Sequence, residues 1–308
     1  MNMMSNYHIP VLLNECIENL AIRPGYDYAD CTLGGGSHSE KIAELVGEGQ
    51  KLHCFDRDTE AINAAKSRLA GFGEKIVYHQ KPFSSLGTEL AQEALGGILY
   101  DLGVSSHQID AKRGFSFVGS EPLDMRMDAE SGESAQEYLK RISEAELAKV
   151  FRENSDLEMA GRLARRILSG ISHSEEITAA NLNAAVEEVY SNRKEDLNSL
   201  KARVFQAIRM EVNSEISEIK HSVEDAVWCL KNGGRLCIIT YHSKEARAVK
   251  DTLAIFEKNC VCSSKLPVCV CGGNNKKIKK INKKRPCAEE LRTNSRSRSA
   301  VLRVYERI

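Results

Sequence analysis

The chain has 308 residues, 42% of them hydrophobic, and a formal net charge of zero, enough for a large domain with a smaller companion. No apolar region follows Met1 and no run of about eighteen apolar residues occurs, which argues against a secretory signal and a membrane span and favours the cytoplasm. The zero balance hides an asymmetry: residues 276–308 hold twelve Lys and Arg against three Asp and Glu, leaving 31 basic and 40 acidic side chains before them. Such a run is either a solvated face or a nucleic-acid footprint. Several of the ten cysteines sit in apolar, strand-like runs, which suits reduced, buried thiols better than a disulfide framework.

In chain order, apolar β-like runs at 26–30, 51–56, 75–79 and 97–101 alternate with amphipathic stretches at 39–45 and 59–69. This is the grammar of a parallel α/β sheet. From about 134 to 200 only helices are expected, two of them opening on capping-box signatures at Ser143/Glu146 and Ser155/Glu158. The second carries Leu157, Ala160, Leu163, Ala164, Ile167 and Leu168 on one stripe, ends at Gly170, and turns Arg162, Arg165 and Arg166 outward. The α/β pattern resumes with a long helix over 202–230, a Gly233-Gly234 turn and a fifth strand at 235–241. Runs at 277–284 and 300–306 are expected to pair as an antiparallel hairpin on the sheet edge. The organisation expected is a discontinuous core, residues 1–108 and 203–308, interrupted by a helical insertion at 109–202.

The first strand ends in Asp30, and Gly34, Gly35, Gly36, Ser37 and His38 follow. Glycines there let the backbone turn sharply and approach a ligand, with a helix N-terminus aimed at it. The turn lacks the sixth-position glycine of a dinucleotide fingerprint and the Gly-Lys-Ser/Thr of a phosphate loop, so a plain structural turn, a nicotinamide or flavin site and an S-adenosylmethionine site all stand at this point. Asp56, ending the second strand, can accept hydrogen bonds from both hydroxyls of a ribose, which NAD and S-adenosylmethionine share. Asp101, ending the fourth, sits where a transferase places its substrate, although a capping Asp before a turn gives the same pattern.

The strings Asp101-Leu-Gly-Val-Ser-Ser-His-Gln108, Arg113-Gly-Phe-Ser-Phe117 and Pro122-Leu-Asp-Met-Arg-Met-Asp128 are long and rare. With His8-Ile-Pro-Val-Leu-Leu, Phe205-Gln-Ala-Ile-Arg-Met-Glu-Val-Asn213 and Ser295-Arg-Ser-Arg-Ser-Ala-Val-Leu-Arg303, they resemble the ribosomal RNA small subunit methyltransferase H family, also called MraW, over essentially the whole chain. The resemblance implies a class I S-adenosylmethionine-dependent methyltransferase, Rossmann-like with a seven-stranded mixed sheet and an inserted all-helical substrate domain. It further implies methylation of the exocyclic N4 of one cytidine in the decoding region of 16S rRNA, with the small ribosomal subunit as partner; a homodimer is compatible with it. By the same resemblance Gly36, Ser37 and His38 lie on the cofactor, Asp56 on its ribose and Phe83 beside its adenine, while Asp101 and Gln108 complete the site. Two departures stand out. Ser37 replaces a usual glycine, and the motif usually written Ser-Phe-His-Ser-Leu-Glu-Asp-Arg stands here as Thr240-Tyr-His-Ser-Lys-Glu-Ala-Arg247, so any role of the missing Asp is lost at Ala246.

Chemistry narrows the target independently. Methylation at carbon 5 of cytosine needs a cysteine nucleophile near the fourth strand's end, and Val104-Ser105-Ser106 follows there instead. An amine is the target left, with Asp101 as the carboxylate that accepts its N–H and takes up developing charge. Arg113, Phe115, Phe117 and Arg126 are candidates for stacking and phosphate contacts; in the competing reading the aromatics pack the insertion and Arg126 pairs with Asp124 or Asp128. Lys279, Lys280, Lys283 and Lys284 are candidates for tracking RNA phosphates. Cys260, Cys262, Cys269 and Cys271 could close a tetrahedral zinc site, but their Cys-x-Cys spacing differs from the usual Cys-x2-Cys knuckle, and the expectation is reduced thiols with no metal.

Overall fold

The computed structural model describes residues 10–105, 108, 112–263, 266 and 268–308. His8, Ile9, Ser106 and His107 of the strings above lie outside them. Two compact units emerge: Met1–Gly103 with Ile216–Ile308, and Val104–Glu215.

The first unit is built on a sheet of seven strands, β1 (Asp27–Asp30), β2 (Leu52–Phe55), β3 (Ile76–His79), β4 (Leu95–Asp101), β5 (Leu230–Thr240), β6 (Ile278–Lys284) and β7 (Val301–Arg307). They lie in the order β3-β2-β1-β4-β5-β7-β6. The first five run parallel, β7 is antiparallel to both β5 and β6, and the expected terminal hairpin is thus formed with β7 inside the sheet. Alternation along the central strands feeds two apolar layers. Ala29, Ile98, Tyr100, Leu236 and Ile238 pack on one face with residues of α10 (Glu215–Cys229) and α11 (Ser243–Phe256). Tyr28, Leu99, Cys237 and Ile239 pack on the other with residues of α1 (Leu13–Leu20), α2 (Ser37–Leu45) and α3 (Thr59–Arg68). A sheet covered on both faces explains why these strands read as near-continuous apolar runs. A short helix α4 (Leu86–Glu89) precedes β4.

The order of the strands reverses at β1, which has β2 on one side and β4 on the other. In open α/β sheets the crevice at the carboxyl ends of such strands is where ligands bind. Asp30, Asp56 and Asp101 end or directly follow β1, β2 and β4 and so share this edge.

The second unit is helical: α5 (Ala135–Arg141), α6 (Glu144–Ser155), α7 (Ala160–Ile171), α8 (Ala179–Tyr190) and α9 (Leu197–Val212). They surround their own core, which includes Leu147, Phe151, Leu163, Ile167, Leu182, Val186, Val204 and Ile208. The capping box at Ser143 and Glu146 is present, and a further one at Ser134 and Glu137 opens α5. The expected box at Ser155/Glu158 is absent. Ser155 is the buried last residue of α6, Asp156 leaves that helix with φ 47°, and α7 starts behind Met159 with no side-chain cap. The arginines of α7 are engaged with the protein's own acids, Arg165 with Glu144 at 3.0 Å and Arg166 with Glu188 at 2.5 Å.

Two more expectations need correction. The helix expected over 202–230 is two, because Asn213 ends α9 and Ser214 takes a φ of 51°. The Asn213 amide donates to the carbonyls of Met125 (2.7 Å) and Arg209 (2.9 Å), and its oxygen accepts the Met127 N–H at 2.7 Å. A side chain that serves the backbone of a distant loop in this way competes with helix continuation. The glycines at 233 and 234 form no turn ahead of a strand; β5 starts at Leu230 and they lie within it, where the pairing with β4 slips in register between Leu95 and Gly97. Gly233, at φ 78°, supplies the conformation such a bulge requires. The two units divide at 103/104 and 215/216, and α9 contributes to the helical core along its length.

Candidate active site

The turn after β1 is held from below. Asp30, almost fully buried, accepts the Thr32 N–H at 3.1 Å and the Ser39 hydroxyl at 2.6 Å. Gly34 and Gly36 adopt φ of 48° and 77°, which strains other residues. Gly36 is also closely packed, since a Cβ there would meet the Ala65 Cβ at 3.3 Å. It is the N-cap of α2 and offers no side chain to the first turn, so that helix presents bare N–H groups to the strand-end crevice. Ser37 is the first residue of α2 and has no positive φ, so serine is accommodated there without strain.

Asp56 is fixed by two backbone donors, Gly34 N–H at 2.9 Å and Asp58 N–H at 2.9 Å. Even so, burial raises its carboxyl from the ordinary 3.8 to about 6, ahead of those two hydrogen bonds that lower it. Each oxygen keeps an acceptor position beyond its backbone partner. An acid under-compensated in this way suits a ligand that brings two hydroxyl donors. Phe83, after β3, meets Tyr100 edge-on with ring centroids 5.8 Å apart, and its carbonyl accepts the Ser222 hydroxyl at 2.7 Å. The bare helix start, the doubly anchored acid and a partly exposed aromatic ring fit the carboxylate, ribose and adenine of an adenosyl amino acid.

Asp101 is tied to the same turn, its N–H donating to the Thr32 hydroxyl at 2.6 Å. Its carboxylate, 18% exposed, has two neighbours: the Tyr241 hydroxyl donates to Oδ1 at 2.7 Å, and His38 Nδ1 lies 3.8 Å from Oδ2. His38 Nε2 is 3.0 Å from the Val11 carbonyl, which can only accept, so Nε2 carries a proton. Burial lifts the Asp101 carboxyl from 3.8 to about 6; nearby His38 and the Tyr241 hydrogen bond pull it down, while Asp30 and Glu245 push it up. Glu245, fully buried, fixes the Tyr241 backbone by accepting its N–H at 2.7 Å. Tyr241 was missed in the sequence. The one sign of it in the sequence is that it stands where the resembling motif has Phe.

Cys16 and Cys31 are buried in the same unit, and burial pushes both thiols well above their ordinary range. Neither is an accessible thiolate nucleophile. Gln108 belongs to the helical unit, where its side chain accepts the Ser105 N–H at 3.0 Å. Arg126 of that unit is clamped by Asp124 through bonds of 2.6 and 2.8 Å, and Arg113 faces the carbonyls of Arg126 and Met127 at 3.5 Å. Phe117 packs edge-on against Phe205. On β6, Lys279 pairs with Glu306 at 2.7 Å and Lys280 with Glu257 at 3.0 Å. Among the described residues Lys283 and Lys284 have no carboxylate at ion-pair distance.

Fold and site together make this a class I, Rossmann-like methyltransferase. Its relatives carry the same chemistry in their names. The model of the MraW methylase family matches residues 5–308, and the chain belongs to that family. It is 43% identical to the ribosomal RNA small subunit methyltransferase H of Finegoldia magna, over 98% of each chain, and 38% identical to that of Clostridioides difficile, over 99% of this chain and 100% of the other. Among solved structures, an rRNA methylase from Streptococcus thermophilus is 11% identical with a TM-score of 0.43, covering 98% of this chain and 99% of that one.

Proposed function

We propose that the protein transfers the methyl group of S-adenosylmethionine to the exocyclic N4 amine of one cytidine in the decoding region of 16S rRNA, acting on the small ribosomal subunit in the cytoplasm. Asp101 carries the proposal: a carboxylate at the end of β4, oriented by Tyr241, beside a glycine turn and ribose acceptor suited to the cofactor. Where the target is cytosine, Cys16 and Cys31 offer no accessible nucleophile for carbon 5, and the amine remains.

When bound, S-adenosylmethionine supplies an electrophilic methyl group on a sulfonium sulfur. The chain's part is to hold and orient. The N–H groups at the start of α2 receive the cofactor carboxylate, Asp56 receives the ribose hydroxyls and Phe83 borders the adenine. The N4 lone pair is delocalised into the ring, so the amine must be held in line at about 3 to 3.5 Å from the methyl carbon. Asp101 accepts one amine N–H through the oxygen that Tyr241 leaves open. As the methyl group leaves the sulfonium sulfur, which would depart as a neutral thioether, the amine nitrogen becomes acidic and Asp101 would take up its proton. The base must be unstacked to reach this site. The helical unit is proposed to contact RNA through Arg113 and Arg126, with Lys283 and Lys284 of β6 meeting phosphates.

The test incubates the protein with labelled S-adenosylmethionine and, separately, assembled small subunits, naked 16S rRNA and DNA, followed by mass spectrometry of the nucleosides. N4-methylcytidine in the subunit RNA is expected. Methylation at carbon 5, or on DNA alone, would overturn the proposal; cofactor binding with no label in any substrate would point to an assembly factor that has kept its pocket.

A further inference from the structure

Between α11 and β6 the chain runs for some twenty residues without a helix or strand among its described residues. Loops of this length inside a compact unit need something to order them. The base of this one is closed: Lys277 N–H donates to the Phe256 carbonyl at 2.8 Å and Asn275 N–H to the Asn259 carbonyl at 3.0 Å. Beyond that base, its described residues bury no apolar core: Val261, Val268 and Val270 are 50%, 70% and 76% exposed. At its centre, instead, are Cys260, Cys262, Cys269 and Cys271, whose sulfurs all lie within 4.8 Å of one another.

The spacing of those sulfurs is specific. Cys260 to Cys269 and Cys269 to Cys271 are 3.5 Å apart, and Cys260 to Cys271 is 3.7 Å. A disulfide would bring two of them to about 2.05 Å. Four sulfurs at about 2.3 Å from a central zinc, tetrahedrally arranged, stand about 3.8 Å from each other along every edge. Backbone donors surround the group as they do bound thiolates: the Val270 N–H meets the Cys262 sulfur at 3.3 Å, and N–H groups of Gly273 and Val261 face Cys271. Gly272 and Gly273, both at positive φ (77° and 69°), let the chain fold back over Cys271.

We propose that Cys260, Cys262, Cys269 and Cys271 bind one zinc ion in a closed, structural tetrathiolate site that pins the loop between α11 and β6. This replaces the expectation of four reduced thiols. The unusual Cys-x-Cys pairs close a tetrahedron because the loop brings the two pairs together edge to edge. Four S–H bonds are exchanged for four S–Zn bonds, and the four protons go to solvent. With all positions filled by protein the metal has no open coordination site and takes no part in methyl transfer. Its effect is mechanical: it fixes the base from which β6 and its lysines emerge. The proposal stands independently of the RNA substrate.

The full-length protein, purified in reducing buffer without chelator, is expected to contain about one zinc per chain. Replacement by cobalt is expected to give the thiolate-to-metal charge-transfer band and the intense visible bands of a tetrahedral tetrathiolate. The Cys260→Ser/Cys271→Ser double variant should lose both metal and spectrum while retaining S-adenosylmethionine binding. If that variant fails to fold, stepwise modification of the wild-type thiols with a mercurial decides, with zinc released in proportion to the thiols of this loop. Zinc-free protein from zinc-supplemented growth, iron in zinc's place, or disulfides in the intact mass would each overturn the assignment.

Discussion

Asp101 and Tyr241 make a pair whose contribution is separable from cofactor binding. Asp101→Ala is expected to lower the transfer rate by roughly 10²- to 10⁴-fold, the range of a positioned acid or base, with cofactor affinity retained. Asp56→Ala should chiefly weaken the cofactor. Equal loss of affinity in both, measured by calorimetry, would reduce Asp101 to a cofactor residue. The Tyr241 hydroxyl favours the Asp101 carboxylate, so Tyr241→Phe removes a stabiliser of the charged form and raises that carboxyl further. Because the carboxylate is the active form, the rate falls as pH drops through about 6; in Tyr241→Phe this limb should move to higher pH, and an unmoved limb would deny the hydrogen bond its role. The linkage to stability has the opposite sense. Asp56 and Asp101, raised from 3.8 to about 6, contribute stability that is whole below the unfolded value and lost as pH rises through about 6. Cofactor should accordingly raise the melting temperature more at about pH 7.5 than at about pH 5, since its ribose hydroxyls would donate to Asp56, which folding alone leaves under-compensated.

At the scale of elements, what was legible in the sequence followed from periodicity and strand-end acids. The runs ending at Asp30, Asp56 and Asp101 place β1, β2 and β4 because a doubly covered sheet demands unbroken apolar runs. Helix boundaries were less legible, because the deciding groups are distant in sequence. Asn213 breaks a helix in order to serve Met125 and Met127, and no local pattern announces that. Tyr241 likewise gains its meaning only once β5 lies beside β4. The pair of cap signatures gives a direct check. Ser143→Ala removes a formed capping box and should cost about 1 kcal/mol of stability. Ser155→Ala removes a buried hydroxyl that has no hydrogen-bond partner and should leave stability unchanged or slightly raised. Equal losses in chemical denaturation would contradict the helix boundaries described here.

For the whole molecule, the concentration of positive charge near the C-terminus acquires internal structure. Part of it is spent within the fold, where Lys279 and Lys280 face Glu306 and Glu257. The proposed RNA contacts therefore fall unequally along β6. Lys283→Ala and Lys284→Ala should each weaken RNA affinity and reduce the slope of log affinity against log salt by about 1, while Lys279→Ala and Lys280→Ala should change that slope less. Filter binding across a salt series distinguishes these outcomes, and four equal slopes would show the ion pairs to be irrelevant to binding.

The neighbouring positions of β4 and β5 in the sheet have a kinetic side. The two strands pair directly although the entire helical unit lies between them in sequence. Their meeting is a long-range closure, with an entropic cost that rises slowly, by about 0.6 kcal/mol for each doubling of loop length. A segment with its own core can condense first and shorten the effective loop before the strands meet. The helical unit is then expected to fold early: Leu163→Ala, deep in its core and far in sequence from Asp101 and Tyr241, should slow refolding followed by stopped-flow fluorescence, and an unchanged folding rate would deny the unit that part.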